Sequence, residues 1–370
     1  MRIRNMKTAF AVLAALALGG AGAARAESLA DPASRPAAMV VEPTTAVLVD
    51  VSRAGPRLVA VGERGIVLVS DDNGARWRQM AVPVSVTLTA VRFLTPQEGW
   101  AVGHSGIVLH TVDGGLSWSK QLDGLEAAAS MLRAANAAAA APADVPAGAS
   151  APRPADAARR LAQQFVDDGP DKPFLDICFD ARGTVYVTGA YGLIFASHDR
   201  GRTWQPWLAH VDNPDGFNLY AMKRTDDALY LTGEQGYFAR SLDGGEHFER
   251  IRMPYDGSFF ALAADARGDV TVAGLRGTIM SSDDGGASWH AVPHASTSSI
   301  DAAAKLSDGV WLFASERGDL LASHDAGRSV EPVRGNYPKR PVAALVEAAD
   351  GSIVTVGYRG IEHFKLADQP

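Results

Sequence analysis

The chain has 370 residues, of which 47% are hydrophobic and 37 are glycine, with a mean hydropathy near zero. That is the profile of a soluble, turn-rich globular protein with ample apolar material for a core. Its 42 acidic residues outnumber 35 basic ones for a net charge of −7, which argues against nucleic acid as the main partner.

The first 26 residues read as a cleavable export signal. Arg2, Arg4 and Lys7 precede the short apolar run "AFAVLAALALGGAG", and Ala24-Arg25-Ala26 offers a small-x-small cleavage site before Glu27. Loss of this leader removes four cations and no acid, leaving 31 basic against 42 acidic residues and a net charge of −11. The mature protein is expected to be periplasmic, with no stable insertion in the membrane. Residues 27–36 form a linker, and "AAMVVE" (37–42) reads as a spare strand.

From there to the end the sequence repeats itself. A G-x-x-G element opening a short apolar strand recurs seven times, with its second glycine at Gly65, Gly106, Gly192, Gly236, Gly277, Gly318 and Gly360. The spacings are 41, 86, 44, 41, 41 and 42 residues. Each unit fits four short strands; in the second these are "LTAVRFL", "EGWAVG", "GIVLHT" and "SWSKQL". Four strands per 40–45 residues predict an all-β fold, a seven-bladed β-propeller of antiparallel blades over residues 37–370. The last unit stops after "IEHFKLADQP" without a fourth strand, so strand 37–42 is expected to complete it and close the ring.

A turn of the form Ser/Thr-x-Asp-x-Gly-x-x-aromatic joins the third and fourth strands. It carries Asp72 with Trp77, Asp113 with Trp118, Asp199 with Trp204, Asp243 with Phe248 and Asp284 with Trp289, while Asp325 precedes the degenerate Val330. This Asp-box (BNR-type) pattern reads as scaffold. The aspartate accepts backbone N–H bonds, the glycine supplies an unusual backbone shape, and the ring plugs the gap between sheets.

The 86-residue spacing marks an insertion at 124–173 between blades two and three. "LEAAASMLRAANAAAAA" and "ADAARRLAQQFVDD" are helix-prone, and "PADVPAGASAPRP" between them is a low-complexity linker.

Catalytic patterns are missing. The nine histidines show no metal-ligand spacing, and no nucleophile elbow or phosphate loop is present, so no catalytic residue, metal or cofactor is expected. Cys178, the lone cysteine, reads as a buried inert thiol. Glycosidases also carry Asp-boxes, but Asp176, Asp180 and Asp265 do not stand out as an acid–base pair. A sialidase- or xyloglucanase-like hydrolase and a passive glycan-binding module are the alternatives to a non-catalytic reading.

The residue before the second glycine is Arg64, Arg276, Arg317 and Arg359 in blades one, five, six and seven, and Ser105, Tyr191 and Gln235 in the others. In a closed ring those four blades are consecutive, so the guanidinium groups predict a basic arc on one face of an acidic protein, suited to bidentate anion recognition. The insertion should stand on that same face.

With these G-x-R-G strands and S-x-D-x-G-x-[ST]-W turns behind a leader, the chain resembles the photosystem II stability and assembly factors of plants and cyanobacteria. The resemblance covers nearly all of the mature chain except the insertion. It implies a non-catalytic propeller, monomeric, that binds a membrane protein complex or its assembly intermediate through an arginine-rich patch. Matched residue by residue, that patch is Arg64, Arg276, Arg317 and Arg359.

Overall fold

The structure, a computed structural model, describes residues 31–140 and 154–366. The export signal, linker residues 27–30, the low-complexity centre of the insertion and the last four residues lie outside the described residues. Seven antiparallel sheets follow one another along the chain, six of four strands and the last of three. The second is representative: Leu88–Phe93, Gly99–Gly103, Val108–Thr111 and Ser119–Leu122, ordered from the centre outward. Short alternations of Val, Leu, Ala and aromatics form these strands because both faces of each sheet are buried between neighbouring blades. Apart from Arg57, which opens that of blade one, the second strand is buried along its whole length in every blade.

The aspartate turns bond as their sequence suggests. In blade five the Ser288 amide and hydroxyl and the Ala287 amide all donate to the Asp284 carboxylate, at 2.8, 2.7 and 3.0 Å. The Gly286 amide donates to Ser282 Oγ at 2.8 Å, and the Trp289 indole to the Gly286 carbonyl at 3.0 Å. The same carboxylate bonds recur at Asp72, Asp113, Asp199, Asp243 and Asp325. Trp77 and Trp118 repeat the indole bond.

Blade four has Phe248 where a tryptophan would serve, and the freed Gly245 carbonyl is taken instead by the Trp207 indole of blade three, at 2.8 Å. Other ties also run from one blade to the next blade's turn. Arg57 donates to the Gly114 carbonyl, Arg182 to that of Gly244 and Arg240 to that of Gly285.

The ring does not close as expected. Residues 37–42 form no strand, and the last sheet keeps three: Ala344–Glu347, Ile353–Gly357 and Gly360–Phe364. Instead the segment runs along blade one, where Gln79 accepts from the Val40 amide and donates to the Ala38 carbonyl, and the Ala37 amide donates to the Val82 carbonyl. Closure is made by side chains: Leu48, Val51, Ala60, Ile66 and Leu68 of blade one pack with Val356, Ala344, Val346 and Ile361 of blade seven. Two apolar faces that fit need no shared strand, and burying them supplies the driving force.

The insertion is a helical hairpin of α1 (Gly124–Ala140) and α2 (Pro154–Asp168). Its small residues let the helices approach closely, and Ala127, Ala128, Met131, Ala135, Ala162 and Phe165 share one core cluster with Phe174, Leu193 and Trp204 of blade three.

Two expectations follow. Val41, which is 98% exposed, tolerates Val41→Asp with a change within about 0.5 kcal/mol, whereas Leu48→Ala at the seam costs about 2–5 kcal/mol in chemical denaturation; equal losses would restore the terminal-strand closure. Bonds from Ser288 hold the Asp284 carboxyl at about 2 against an ordinary 3.8. Its stabilising contribution is therefore present above pH 4 and lost as pH falls toward 2, so Asp284→Asn should flatten the acid limb of a pH–stability profile.

Candidate functional site

One backbone bond fixes the geometry of the face that carries the G-x-x-G turns. In blades one to six the residue opening the turn donates its amide to the carbonyl just before the inner strand: Glu63 to Val47, His104 to Thr87, Ala190 to Pro173, Glu234 to Asn218, Leu275 to Ser258 and Glu316 to Ser299, all at 2.9–3.1 Å. The turns are thereby pinned beside the starts of the inner strands, around the mouth of the central channel. Gly65 lies at φ +74°, and a Cβ there would meet the Val84 carbonyl at 2.2 Å, so only glycine fits.

Arg64 and Arg276, at φ 53° and 57°, are also left-handed, a conformation that costs a non-glycine residue about 1–2 kcal/mol. Arg317 and Arg359 reach the same place through turns in which only Gly318 and Gly360 are left-handed. All four arginines are exposed, and among the described residues none of their guanidinium groups enters a hydrogen bond or ion pair. Inner-strand packing of blade five on six, six on seven and seven on one makes the four positions consecutive.

The blades that lack arginine carry other structures on this face. The start of α1 sits on blade two, where a Cβ on Gly106 would lie 2.6 Å from the Gly124 Cα. In blade three Tyr191 packs edge-on against Phe165 of α2, with ring centroids 6.3 Å apart. Lys172 then lies over both rings, at 5.5 and 5.4 Å, and pairs with Asp168 and Asp171. In blade four Gln235 borders a small polar pocket with Arg250, Arg252 and Tyr255. The insertion thus stands on the arginine face, as read from the sequence, over turns two and three.

The channel itself, about 830 Å³, is lined by residues of all seven blades. A register shift near the start of the inner strands of blades one to six turns one residue per blade into it: Val49, Thr89, Leu175, Tyr220, Phe260 and Asp301, with Ala343 in the matching place of blade seven. Asp301 is the one acid of this ring. Its carboxylate has no bonding partner among the described residues, and burial, with Glu316 adding repulsion, pushes it up to about 6. Tyr220 and Phe260 meet edge-on at 5.3 Å beside it.

Deeper in the channel Arg92 pairs with Asp50 and lies 3.0 Å from Asp176, off the hydrogen-bond axis. The same carboxylates tie blades together: Asp50 accepts from the Val91 amide and Asp176 from that of Met222, at 2.7 and 2.9 Å. Burial opposes every charge here. It pushes Asp50 up, and it lowers Lys223, which Arg92 also repels. Arg92 is nonetheless held above its ordinary value by Asp50 and Asp176.

Sequence reasoning missed Arg92, Lys223, Tyr220 and Asp301; the readable clue was an acid in "SSIDAAAK" where the matching position of the other inner strands is uncharged. The carboxylates weighed for glycosidase chemistry are bound locally, Asp180 to Arg182 and Thr184 and Asp265 to Arg267. Cys178 is buried, its thiol pushed up to about 12 by burial first and the charge of Asp176 second. Among the described residues no group of side chains is placed to hold a metal, and no helix is long and apolar enough to cross a membrane.

Residues 31–135 and 156–360 match the family described as photosynthesis system II assembly factor YCF48. The photosystem II assembly lipoprotein Ycf48 of Synechococcus sp. (strain CC9902) is 31% identical over 64 residues, a stretch spanning 16% of this chain and 19% of that relative. Among solved structures, YCF48 bound to a D1 peptide aligns over 90% of this chain and 100% of its own, with 20% identity and a TM-score of 0.57. YCF48 from Cyanidioschyzon merolae aligns over 90% and 98%, with 14% identity and a TM-score of 0.59. At such identities the structural likeness establishes the fold.

Two substitutions in the channel should move stability in opposite directions. Arg92→Met leaves two carboxylates buried without their cation and costs about 3–5 kcal/mol. Asp301→Asn removes a charge whose penalty grows as pH rises from 3.8 toward 6 and is full above 6. After discounting for partial exposure, it should stabilise by about 1 kcal/mol at pH 7.5 and by nothing at pH 3.5 in denaturant titrations. A pH-independent effect would contradict the isolated-carboxylate assignment.

Proposed function

The chain belongs to the family of YCF48-type photosystem II assembly factors, and from that premise we propose that it is a non-catalytic accessory factor for a membrane protein complex, docking through its arginine-bearing face. The observation that carries this reading is the arc of Arg276, Arg317, Arg359 and Arg64 on four consecutive blades, exposed and unpaired among the described residues. Arginine forks left without internal partners on a protein of net charge −7 are matched to external carboxylates, which they bind bidentately.

The solved relative bound to a D1 peptide supports a polypeptide segment as the ligand. On this reading the protein works as a monomer in the periplasm after removal of its leader. The partner is a membrane protein or its assembly intermediate, and the acidic remainder of the surface disfavours unspecific contact with anionic lipid.

Replacing all four arginines by glutamate should leave the circular dichroism spectrum and melting temperature unchanged. Crosslinked affinity purification from envelope fractions, read by mass spectrometry, should then lose the integral membrane proteins that the unaltered chain recovers. The same set recovered by both would refute docking through this face.

A further inference from the structure

We propose that the channel mouth is a receptor for one lysine side chain of the docked polypeptide, its stem lying against Phe260 and Tyr220 and its ammonium neutralised by Asp301. This rests on the reading of the surrounding face as a docking surface, and adds to it the specificity of the central position.

Four observations converge on this site. First, the seven-residue mouth ring presents aliphatic or aromatic side chains, one threonine and a single carboxylate, which no described residue neutralises. The facing acid Glu316 offers no relief; its Oε1 accepts from the Ser299 amide at 3.3 Å, leaving the other oxygen available. Second, the Tyr220–Phe260 pair borders the same cavity as Asp301, and Tyr358, 74% exposed, overhangs it from the turn of blade seven. Aromatic faces beside a carboxylate form the surroundings in which a desolvated ammonium gains both charge pairing and cation–π attraction. Third, the wall below Asp301 is a slope of alanines, Ala261, Ala263, Ala302, Ala303 and Ala304, which leaves room for an entering side chain. Fourth, the cations of the channel, Arg92, Lys223 and Lys305, lie on later residues of the inner strands of blades two, four and six, deeper than the mouth ring, with Lys305 3.7 Å from Asp265.

The chemistry selects the occupant. A divalent ion needs six or more oxygen ligands for calcium, or an octahedral set for magnesium, and the mouth supplies only two carboxyl groups amid apolar neighbours. An anion would meet the uncompensated charge of Asp301. A lysine side chain meets both demands with an apolar stem and a compact charged tip. The arginine arc around the mouth in turn favours acids on either side of that lysine. The recognised segment is therefore a lysine flanked by carboxylates.

The test uses the mature chain and two fluorescein-labelled peptides, Asp-Glu-Lys-Glu-Asp and the same sequence with norleucine for lysine, titrated by anisotropy at low salt. The lysine peptide should bind about tenfold more tightly, and Asp301→Asn, checked for an unchanged circular dichroism spectrum, should erase that difference. Equal binding of both peptides, or no binding of either, overturns the lysine receptor. The arginine-to-glutamate variant separates the two readings. If it releases both peptides while the unaltered chain never distinguishes them, docking stands and the receptor falls. If lysine selectivity persists through Asp301 without the arginines, the receptor stands and arginine docking falls.

Discussion

Everything in this molecule depends on keeping small four-stranded sheets face to face, because none of them could bury its two apolar surfaces alone. The aspartate turns make that contact precise. Each carboxylate holds one or two amides of its own loop and so fixes where the following ring points, and the ring enters the gap toward the preceding sheet. The glycine carbonyls these turns expose are then used by Arg57, Arg182, Arg240 and Trp207 as anchors from the preceding blade. The repeated residues are thus spent on holding blades to one another, which leaves the opposite face to vary from blade to blade.

That opposite face is divided by what each turn carries. Over blades two and three the arginine position is Ser105 or Tyr191, and the helical hairpin rests there, with Phe165 and Lys172 locking Tyr191 in place. Over blades five, six, seven and one the position is arginine and no described residue covers it. The hairpin and the arc therefore share one face around the channel mouth.

Much of this was readable from the sequence because it is encoded locally and repeatedly. The G-x-x-G elements and aspartate turns set the blade count, the alanine-rich segments predicted the helices, and the ring-closure argument placed Arg64 beside Arg359. What could not be read depends on relations between blades. Which inner-strand residues face the channel is decided by a register shift near the strand start, so Asp301 and Arg92 looked like ordinary alternation. The exchange of Trp207 for the indole missing at Phe248 crosses from one repeat to the next. The closing strand was inferred by counting strands, whereas the seam is decided by shape: Leu48 and Val356 already fit.

Since among the described residues no sheet borrows a strand from the far end of the chain, every described blade is contiguous in sequence, and none is privileged as the place where the wheel must begin. The segment entering blade one crosses the last strand at Thr44, where the Gly360 backbone lies close against its carbonyl. The two ends of the wheel are thus neighbours, and a short connector could join them while a new opening is cut in another inter-blade loop. Such rotated gene orders would carry the same seven sheets, with the arc, hairpin and channel in their original places.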